Sequence, residues 1–310
     1  MGLLQLVVYA CVLVFLVAVS VKIARYASAP VHMRWELYPV AHEKGRHHYG
    51  GSIFEEPDWW EKPRQLDHAN EIREMGQEIF LLKGVRLNNP RLWLWSWPFH
   101  GGLYLVIGWM ALLVVGGIMQ LAGARFDGGV PALVRGVTLV VGYAGMALTA
   151  VGALGLFLHR TRNGDMRRFN TPADYLHLLW FAAAGVYGVA AFGAVDPGFD
   201  RLRAFTAGVI GFREAVPLPA ATGVAVALGM LLVAYIPFTR MVHFAAKYFL
   251  YHEVRWSDEP LRKGSALESR IKQALNYGVS WRGPHIQTGQ TWGQVATAGP
   301  ADEAATEEKR

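Results

Sequence analysis

Five long segments without a single Asp, Glu, Lys or Arg dominate this sequence. They contain 19 to 25 residues each and lie at 3–21, 101–124, 136–158, 175–195 and 215–239. An α-helix rises about 1.5 Å per residue, so each segment is long enough to cross the roughly 30 Å hydrocarbon layer of a bilayer. One such run is compatible with a buried helix of a soluble protein. Five of them predict an all-α integral membrane protein with five transmembrane helices.

The composition excludes several other classes of protein. Charged residues make up 17% of the chain and hydrophobic residues 53%, whereas soluble domains carry about 25% charge. A disordered chain or a coiled coil does not have this composition. The single cysteine, Cys11, excludes an internal disulfide, a cysteine-ligated iron–sulfur cluster and the C-x-x-C-H motif of covalently bound haem.

The distribution of positive charge predicts the orientation. Of the 30 Lys and Arg residues, 25 lie in 22–99, 160–174 and 240–310, and five lie in the two opposite connections. The positive-inside rule therefore places the N-terminus outside and the C-terminus inside. No positive charge precedes the first segment, and its apolar run is too long for a signal peptide, so we expect an uncleaved anchor. The net charge of +6 then reflects topology rather than nucleic-acid binding.

This topology divides the chain into four regions. We expect a transmembrane anchor helix at 1–27, a cytoplasmic insertion at 28–99, a four-helix membrane bundle at 100–251 and a cytoplasmic docking tail at 252–310. Within the insertion, apolar residues at helical spacing predict an amphipathic helix over 67–85, and the tryptophan-rich stretch 92–99 is typical of a membrane interface. A helix is expected at 267–275 in the tail.

Four histidines mark the edges of the apolar segments, and all four fall on the predicted cytoplasmic side: His100, His159, His177 and His243. Ionisable residues at membrane depth are costly and usually functional. Imidazoles from two helices commonly hold haem b, and arginines such as Arg240 and Arg160 could pair with its propionates. Small residues at Gly101, Gly102 and Gly108 would let a flat macrocycle approach the second segment. Hydrogen-bonding anchors at the interface are the alternative.

Several motifs of this chain resemble the gamma subunit of respiratory nitrate reductase, a five-span cytochrome b. They are Phe99-His100-Gly101-Gly102, the loop 167–174 and the run from Pro237 to His243. The stretches 32–40, 49–52 with Trp59-Trp60, and 277–285 resemble the branch found in sulfate-reducer redox complexes. The resemblance implies a multi-pass subunit of the cytoplasmic (inner) membrane for anaerobic respiration. It would exchange electrons between menaquinol or menaquinone and a cytoplasmic iron–sulfur partner similar to heterodisulfide reductase.

The resemblance also implies the haem ligands. Each of the two ligand helices of that family carries two histidines, and the cytoplasm-side pair falls here on His100 and His243. Ten residues after His100 stands Met110, and eighteen before His243 stands Ala225. The outer pair is therefore absent, so we expect one haem b from this pattern. His159 and His177 are extra, and they could hold a second haem, exchange protons at a quinone site or anchor a loop.

Two readings from other classes remain open at this point. A haem-free membrane scaffold or transporter also has five spans, although no internal repeat and no acidic residue within a span supports a proton-coupled carrier. A membrane metalloenzyme could use His42, His47 and His48, but no carboxylate–histidine spacing such as H-E-x-x-H accompanies them.

Overall fold

A computed structural model describes residues 1–29, 40–257, 261–283, 286 and 288–298. This part of the chain is predominantly helical, and it contains isolated β-bridges but no β-strand. Two of the quoted stretches, 32–40 and 277–285, fall partly outside the described residues. The chain divides into two compact units. Residues 1–19 and 72–242 form the first, and residues 20–71 and 243–310 form the second.

The helices follow one another along the chain with these bounds: α1 (Leu3–Ala27), α2 (His68–Phe80), α3 (Lys83–Asn88), α4 (Pro90–Leu121), α5 (Gly129–Arg162), α6 (Gly164–Phe169), α7 (Pro172–Val195), α8 (Asp200–Ile210), α9 (Ala220–Tyr235), α10 (His243–Phe249), α11 (Ala266–Leu275) and α12 (Trp292–Thr297). Two 3-10 turns, Ile236–Phe238 and Arg240–Val242, follow α9, and a π-helical segment, Leu250–Arg255, follows α10. The helix expected at 267–275 is confirmed as α11.

Five of these helices are long and apolar enough to cross a membrane: α1, α4, α5, α7, and α9 with its 3-10 extension to Phe238. The prediction of an all-α, multi-pass membrane protein is confirmed at this level. The boundaries differ from the charge-free runs. Helix α4 begins at Pro90, well before the run does, and α5 includes Arg135 and Arg160. A helix continues past charged residues wherever water or the interface solvates them.

Helices α4 and α5 form the most extensive contact of the first unit, and their backbones approach closely. A Cβ atom on Gly152 would lie 2.3 Å from the backbone nitrogen of Phe99, and one on Gly145 would lie 2.9 Å from that of Val106. Small residues permit this approach between apolar helices. The idea that Gly102 opens α4 to a macrocycle is wrong, because its Cβ position lies 2.3 Å from the Thr149 nitrogen on α5.

Helix α8 had no counterpart among the predicted elements. Its N-terminus is capped by the buried carboxylate of Asp196, which accepts hydrogen bonds from the backbone nitrogens of Arg201 (3.1 Å) and Leu202 (2.9 Å). Phe199, 1% exposed, packs against Trp109 just before the helix. A carboxylate suits this position because it satisfies helix N-terminal N–H groups and complements the helix dipole.

Two polar residues of α1 hold it to the last turn of α8 and to the chain that follows. Gln5 is 1% exposed, and its amide donates to the carbonyl oxygen of Arg213 at 2.8 Å. The Tyr9 hydroxyl donates to the carbonyl oxygen of Val209 at 2.7 Å. In an apolar bundle such bonds fix the position of a helix, because the alternative is an unsatisfied polar group.

The predicted amphipathic helix is shorter than expected. Helix α2 ends at Phe80, and the chain turns at Leu82, whose φ is 50°, before α3 begins. Side chains of α4 donate hydrogen bonds to carbonyl groups at the end of α2 and in the turn. The indole nitrogen of Trp93 donates to Leu81, and the hydroxyl of Tyr104 donates to Ile79. Trp93 and Tyr104, at the start of a membrane-crossing helix, therefore also fix the end of α2 and the turn that follows it.

In the second unit, residues 20–71 contain a group of buried polar contacts. The Glu43 carboxylate is 5% exposed and accepts hydrogen bonds from the Ser52 hydroxyl (3.1 Å) and the Ile53 nitrogen (2.8 Å). In the same unit, His252 of the π-helical segment lies 3.1 Å from the carboxylate of Glu71.

Candidate functional site

One end of the first unit collects the predicted site residues of that unit. There the start of α4, the end of α5, the start of α7 and the end of α9 surround an apolar cluster that includes Phe99, Leu156, Phe181 and Leu232. The rings of Phe99 and Phe181 meet edge to face with centroids 5.2 Å apart. We call this region the histidine end.

His100 is held by its own helix. Its Nδ1 lies 2.7 Å from the carbonyl oxygen of Ser96, one turn earlier on α4. A carbonyl only accepts, so Nδ1 carries the proton and, in the neutral ring, Nε2 carries the lone pair. This is the tautomer of a metal-ligating histidine whose other nitrogen is anchored by a backbone carbonyl. The donor chemistry of His100 therefore fits an axial haem ligand.

His243 lies beyond the last membrane-crossing helix rather than on it. The helical hydrogen-bond pattern is interrupted after α9 by Pro237 and by Thr239, whose backbone is extended. Proline lacks the N–H that would continue the helix. His243 then begins α10 in the second unit and is exposed. Ala225 and His243 thus do not share one continuous helix, which departs from the ligand helix that the resemblance implies.

His177 forms a side-chain pair that sequence reasoning missed. Its Nε2 lies 3.1 Å from the hydroxyl oxygen of Tyr235, a contact that joins α7 to α9 across 58 positions of sequence. The ring of Tyr235 stacks on that of Trp180 with centroids 5.5 Å apart. The only signal in the sequence was a tyrosine near the end of an apolar run.

His159 and Arg160 occupy the last turns of α5. The Nε2 of His159 is buried without a hydrogen-bond partner, and so is the Nε of Arg160. The Arg160 guanidinium donates through Nη1 to the amide oxygen of Asn170 at 3.3 Å. Buried polar atoms without partners are rare in native proteins and call for an explanation.

Arg240 and Asp174 face each other at the same end, 3.8 Å apart. The Asp174 carboxylate also accepts hydrogen bonds from the backbone nitrogen and the hydroxyl of Thr171, both at 2.8 Å, in the capping box of α7. Asp174 was absent from the predicted site. The Thr-x-x-Asp spacing before an apolar run was the signal that predicts such a cap.

The described residues contain no group of three or more His, Cys, Asp and Glu arranged to hold a metal ion. His42, His47 and His48 therefore do not form the kind of centre that a membrane metalloenzyme needs. A haem iron has a different requirement, because the macrocycle supplies four ligands and the protein supplies one or two.

Comparison of the chain with models of protein families, with curated proteins and with solved structures finds no match. The resemblance to the nitrate reductase gamma subunit therefore rests on the sequence motifs alone.

Proposed function

We propose that this protein is the haem b electron-transfer subunit of a quinone-linked oxidoreductase complex in the cytoplasmic membrane. The observation that carries the proposal is the anchored imidazole of His100, with its Nδ1 2.7 Å from the Ser96 carbonyl. This hydrogen bond holds the ring, at the edge of an apolar helix bundle, in the tautomer that an axial ligand requires, and it therefore supports the proposal.

The proposed haem site uses His100 and His243 as axial ligands. That pairing comes from the sequence motifs, and the haem would supply a one-electron redox couple. Arg240 and Arg160 are the propionate candidates, since guanidinium groups bind carboxylates strongly. His159, whose Nε2 is buried and unpaired, is the better candidate for a ligand of a second haem.

His177 is better suited to proton exchange with a quinone than to ligation. Its Nε2 already lies against the Tyr235 hydroxyl. Oxidation of menaquinol to menaquinone releases two electrons and two protons. A histidine titrates near neutral pH and can accept such a proton, and the neighbouring carboxylate of Asp174, one turn earlier on α7, can receive it in turn.

The orientation belongs to the same proposal. With the N-terminus outside and the C-terminus inside, the insertion 28–99 and the tail 252–310 face the cytoplasm. There they would dock an iron–sulfur subunit resembling heterodisulfide reductase. Exposed aromatics of the tail, such as Tyr277 and Trp281, suit such an interface.

A haem assay on the purified protein tests the proposal directly. We expect a b-type spectrum after dithionite reduction and about one haem per chain by pyridine haemochrome. His100→Ala and His243→Ala should abolish it, whereas the matched control His68→Ala, at an exposed histidine, should retain it. About two haems, with one lost in His159→Ala, would assign His159 as a ligand. No haem in the assembled complex would overturn the proposal and leave a scaffold or transporter.

A further inference from the structure

Arg160 makes no direct ion pair within the part of the chain that the structure describes. No carboxylate of the described residues lies within 4.0 Å of its guanidinium, and its hydrogen-bond partner is the neutral amide of Asn170. Its Nε is buried without a partner. The carboxylate of Asp174 attracts Arg160 through space, but it is hydrogen-bonded to Thr171 and lies 3.8 Å from Arg240. A partly buried cation without a direct ion pair is costly, so an anion in contact with it would stabilise it.

The residues after Arg160 extend this positive site along the surface. Arg162, Arg167 and Arg168 are exposed, and the last two lie on the short helix α6. The one carboxylate within α6 is that of Asp165, in its first turn. The connection between α5 and α7 is therefore strongly basic and close to a membrane-crossing helix on both sides.

Large apolar side chains lie exposed beside these arginines. Phe169 at the end of α6 is 81% exposed, Leu158 on α5 is 46% exposed and Leu176 on α7 is 57% exposed. On a helix in the plane of a membrane interface, such side chains enter the acyl region while the arginines remain at headgroup level. A soluble anion would make no contact with these flanking apolar surfaces, whereas the acyl chains of a lipid would.

We propose that residues 158–176 form a binding site for an anionic phospholipid. The Arg160 guanidinium binds the phosphodiester oxygens, because a guanidinium fork matches that group. Arg162, Arg167 and Arg168 add attraction to a negative headgroup. The acyl chains lie along Leu158 and Leu176, and Phe169 anchors α6 in the interface. This assignment removes Arg160 from the propionate candidates and leaves Arg240 there.

The test measures lipid binding to the full chain in detergent by native mass spectrometry. Phosphatidylglycerol is compared with phosphatidylcholine, which carries the same phosphate with a compensating positive charge. We expect phosphatidylglycerol to bind more tightly. Arg160→Gln should weaken it by about tenfold or more and Arg160→Lys by less, since the lysine keeps the charge but not the fork. The matched control Arg125→Gln, at an exposed arginine of another connection, should bind like the wild type.

A second variant covers the case in which Arg160→Gln does not fold. Arg167→Gln/Arg168→Gln changes two exposed side chains, and each should reduce binding about five-fold. Equal binding in the wild type and both variants would overturn the proposal. So would inorganic phosphate competing as well as the lipid does, because the site would then take a soluble anion.

A haem propionate is the third anion that could bind Arg160, after a lipid phosphate and a soluble phosphate. Protein produced without haem should still bind phosphatidylglycerol in an Arg160-dependent manner. If Arg160→Gln lowered haem content and left lipid binding unchanged, Arg160 would belong to the propionates and the lipid site would be refuted. Failure of the haem proposal leaves the lipid assay unaffected, so the two outcomes are distinguishable.

Discussion

At one end of the first unit the polar side chains are paired, whereas at the histidine end buried polar atoms lack partners. The first region, which we call the α8 end, contains Asp196, Gln5 and Tyr9, each bonded to a backbone group. The histidine end contains His159, Arg160 and Trp180, each with a buried nitrogen that has no partner. Two further unpaired atoms belong to this unit: that of Thr149 lies in the contact between α4 and α5, and that of Trp109 lies beside Phe199, near α8.

We infer from this difference that the paired polar side chains have a structural role and the unpaired ones a functional role. A satisfied polar group in an apolar bundle positions a helix and needs nothing else. An unsatisfied one reduces stability unless a ligand completes it. The paired polar residues of the α8 end should therefore affect folding, and the unpaired polar residues of the histidine end should affect ligands more than folding.

The largest effect is expected at the close backbone contact between α4 and α5, where Gly152 meets Phe99 of the histidine end. Gly152→Leu would force a side chain against the backbone of Phe99, which cannot move away as a flexible side chain could. We expect a loss of about 3 kcal/mol or more, seen as a collapse of the thermal unfolding midpoint in detergent. Gly101→Leu is the control, because nothing lies within 4 Å of its Cβ position. Equal midpoints in the two variants would contradict the close packing.

The second effect concerns the α8 end alone. Asp196→Ala removes the cap of α8 and leaves the backbone nitrogens of Arg201 and Leu202 without an acceptor. We expect a loss of about 2 kcal/mol in the thermal unfolding of the purified protein. Haem content and lipid binding per folded molecule should stay at the wild-type level. A selective loss of either ligand would show that the two ends do not separate structure from function.

The sequence predicts the features that depend on single segments. Charge-free runs locate the five membrane-crossing helices because each single charged residue opposes insertion of its own segment into lipid. The helix at α11 and the amphipathic character of α2 follow from local periodicity in the same way. Helix α8 was missed because the contacts that hold it come from residues outside it. Asp196 caps its first turn, and Arg135, 65 positions away, binds Asp200.

Features that depend on distant pairs could not be read from the sequence. The contact between His177 and Tyr235 joins two helices, and a lone tyrosine in an apolar run gives no sign of its partner. Gly102 was assigned to a cofactor surface, yet it packs against Thr149. A glycine signals a close approach but does not identify what approaches. The break at Thr239, which separates His243 from α9, was likewise not expected from Pro237 alone.

The third prediction is that removing an unpaired polar group at the histidine end increases stability instead of lowering it. His159→Leu replaces a buried unpaired nitrogen with an apolar side chain of similar volume. In protein without haem we expect stabilisation of up to about 1 kcal/mol, measured by thermal unfolding. His177→Leu should instead destabilise by about 1 kcal/mol, because it leaves the Tyr235 hydroxyl without its partner. Destabilisation by His159→Leu would mean that this histidine is structural.

The smallest effect concerns the ion pairs of Asp200 at the α8 end. Burial alone would raise the pKa of this carboxyl, but the hydrogen bond and charge of Arg135 and the charge of Arg203 outweigh it and hold the pKa below its ordinary value. A carboxyl with a lowered folded-state pKa contributes stability above its unfolded pKa of about 3.9 and loses it as the pH falls through the folded value. Because Asp200 is 45% exposed, the contribution should be only about 0.5 kcal/mol.

Comparing unfolding midpoints at pH 7 and near pH 3 isolates this contribution. The wild type should lose slightly more stability on acidification than Asp200→Asn, which has no carboxyl to protonate. Glu55→Gln serves as the matched control, since that carboxylate lies outside the first unit, and its acid sensitivity should match the wild type. If Asp200→Asn were as acid-sensitive as the wild type, the ion pairs with Arg135 and Arg203 would contribute nothing measurable. The polar order of the α8 end would then rest on the backbone bonds of Asp196, Gln5 and Tyr9.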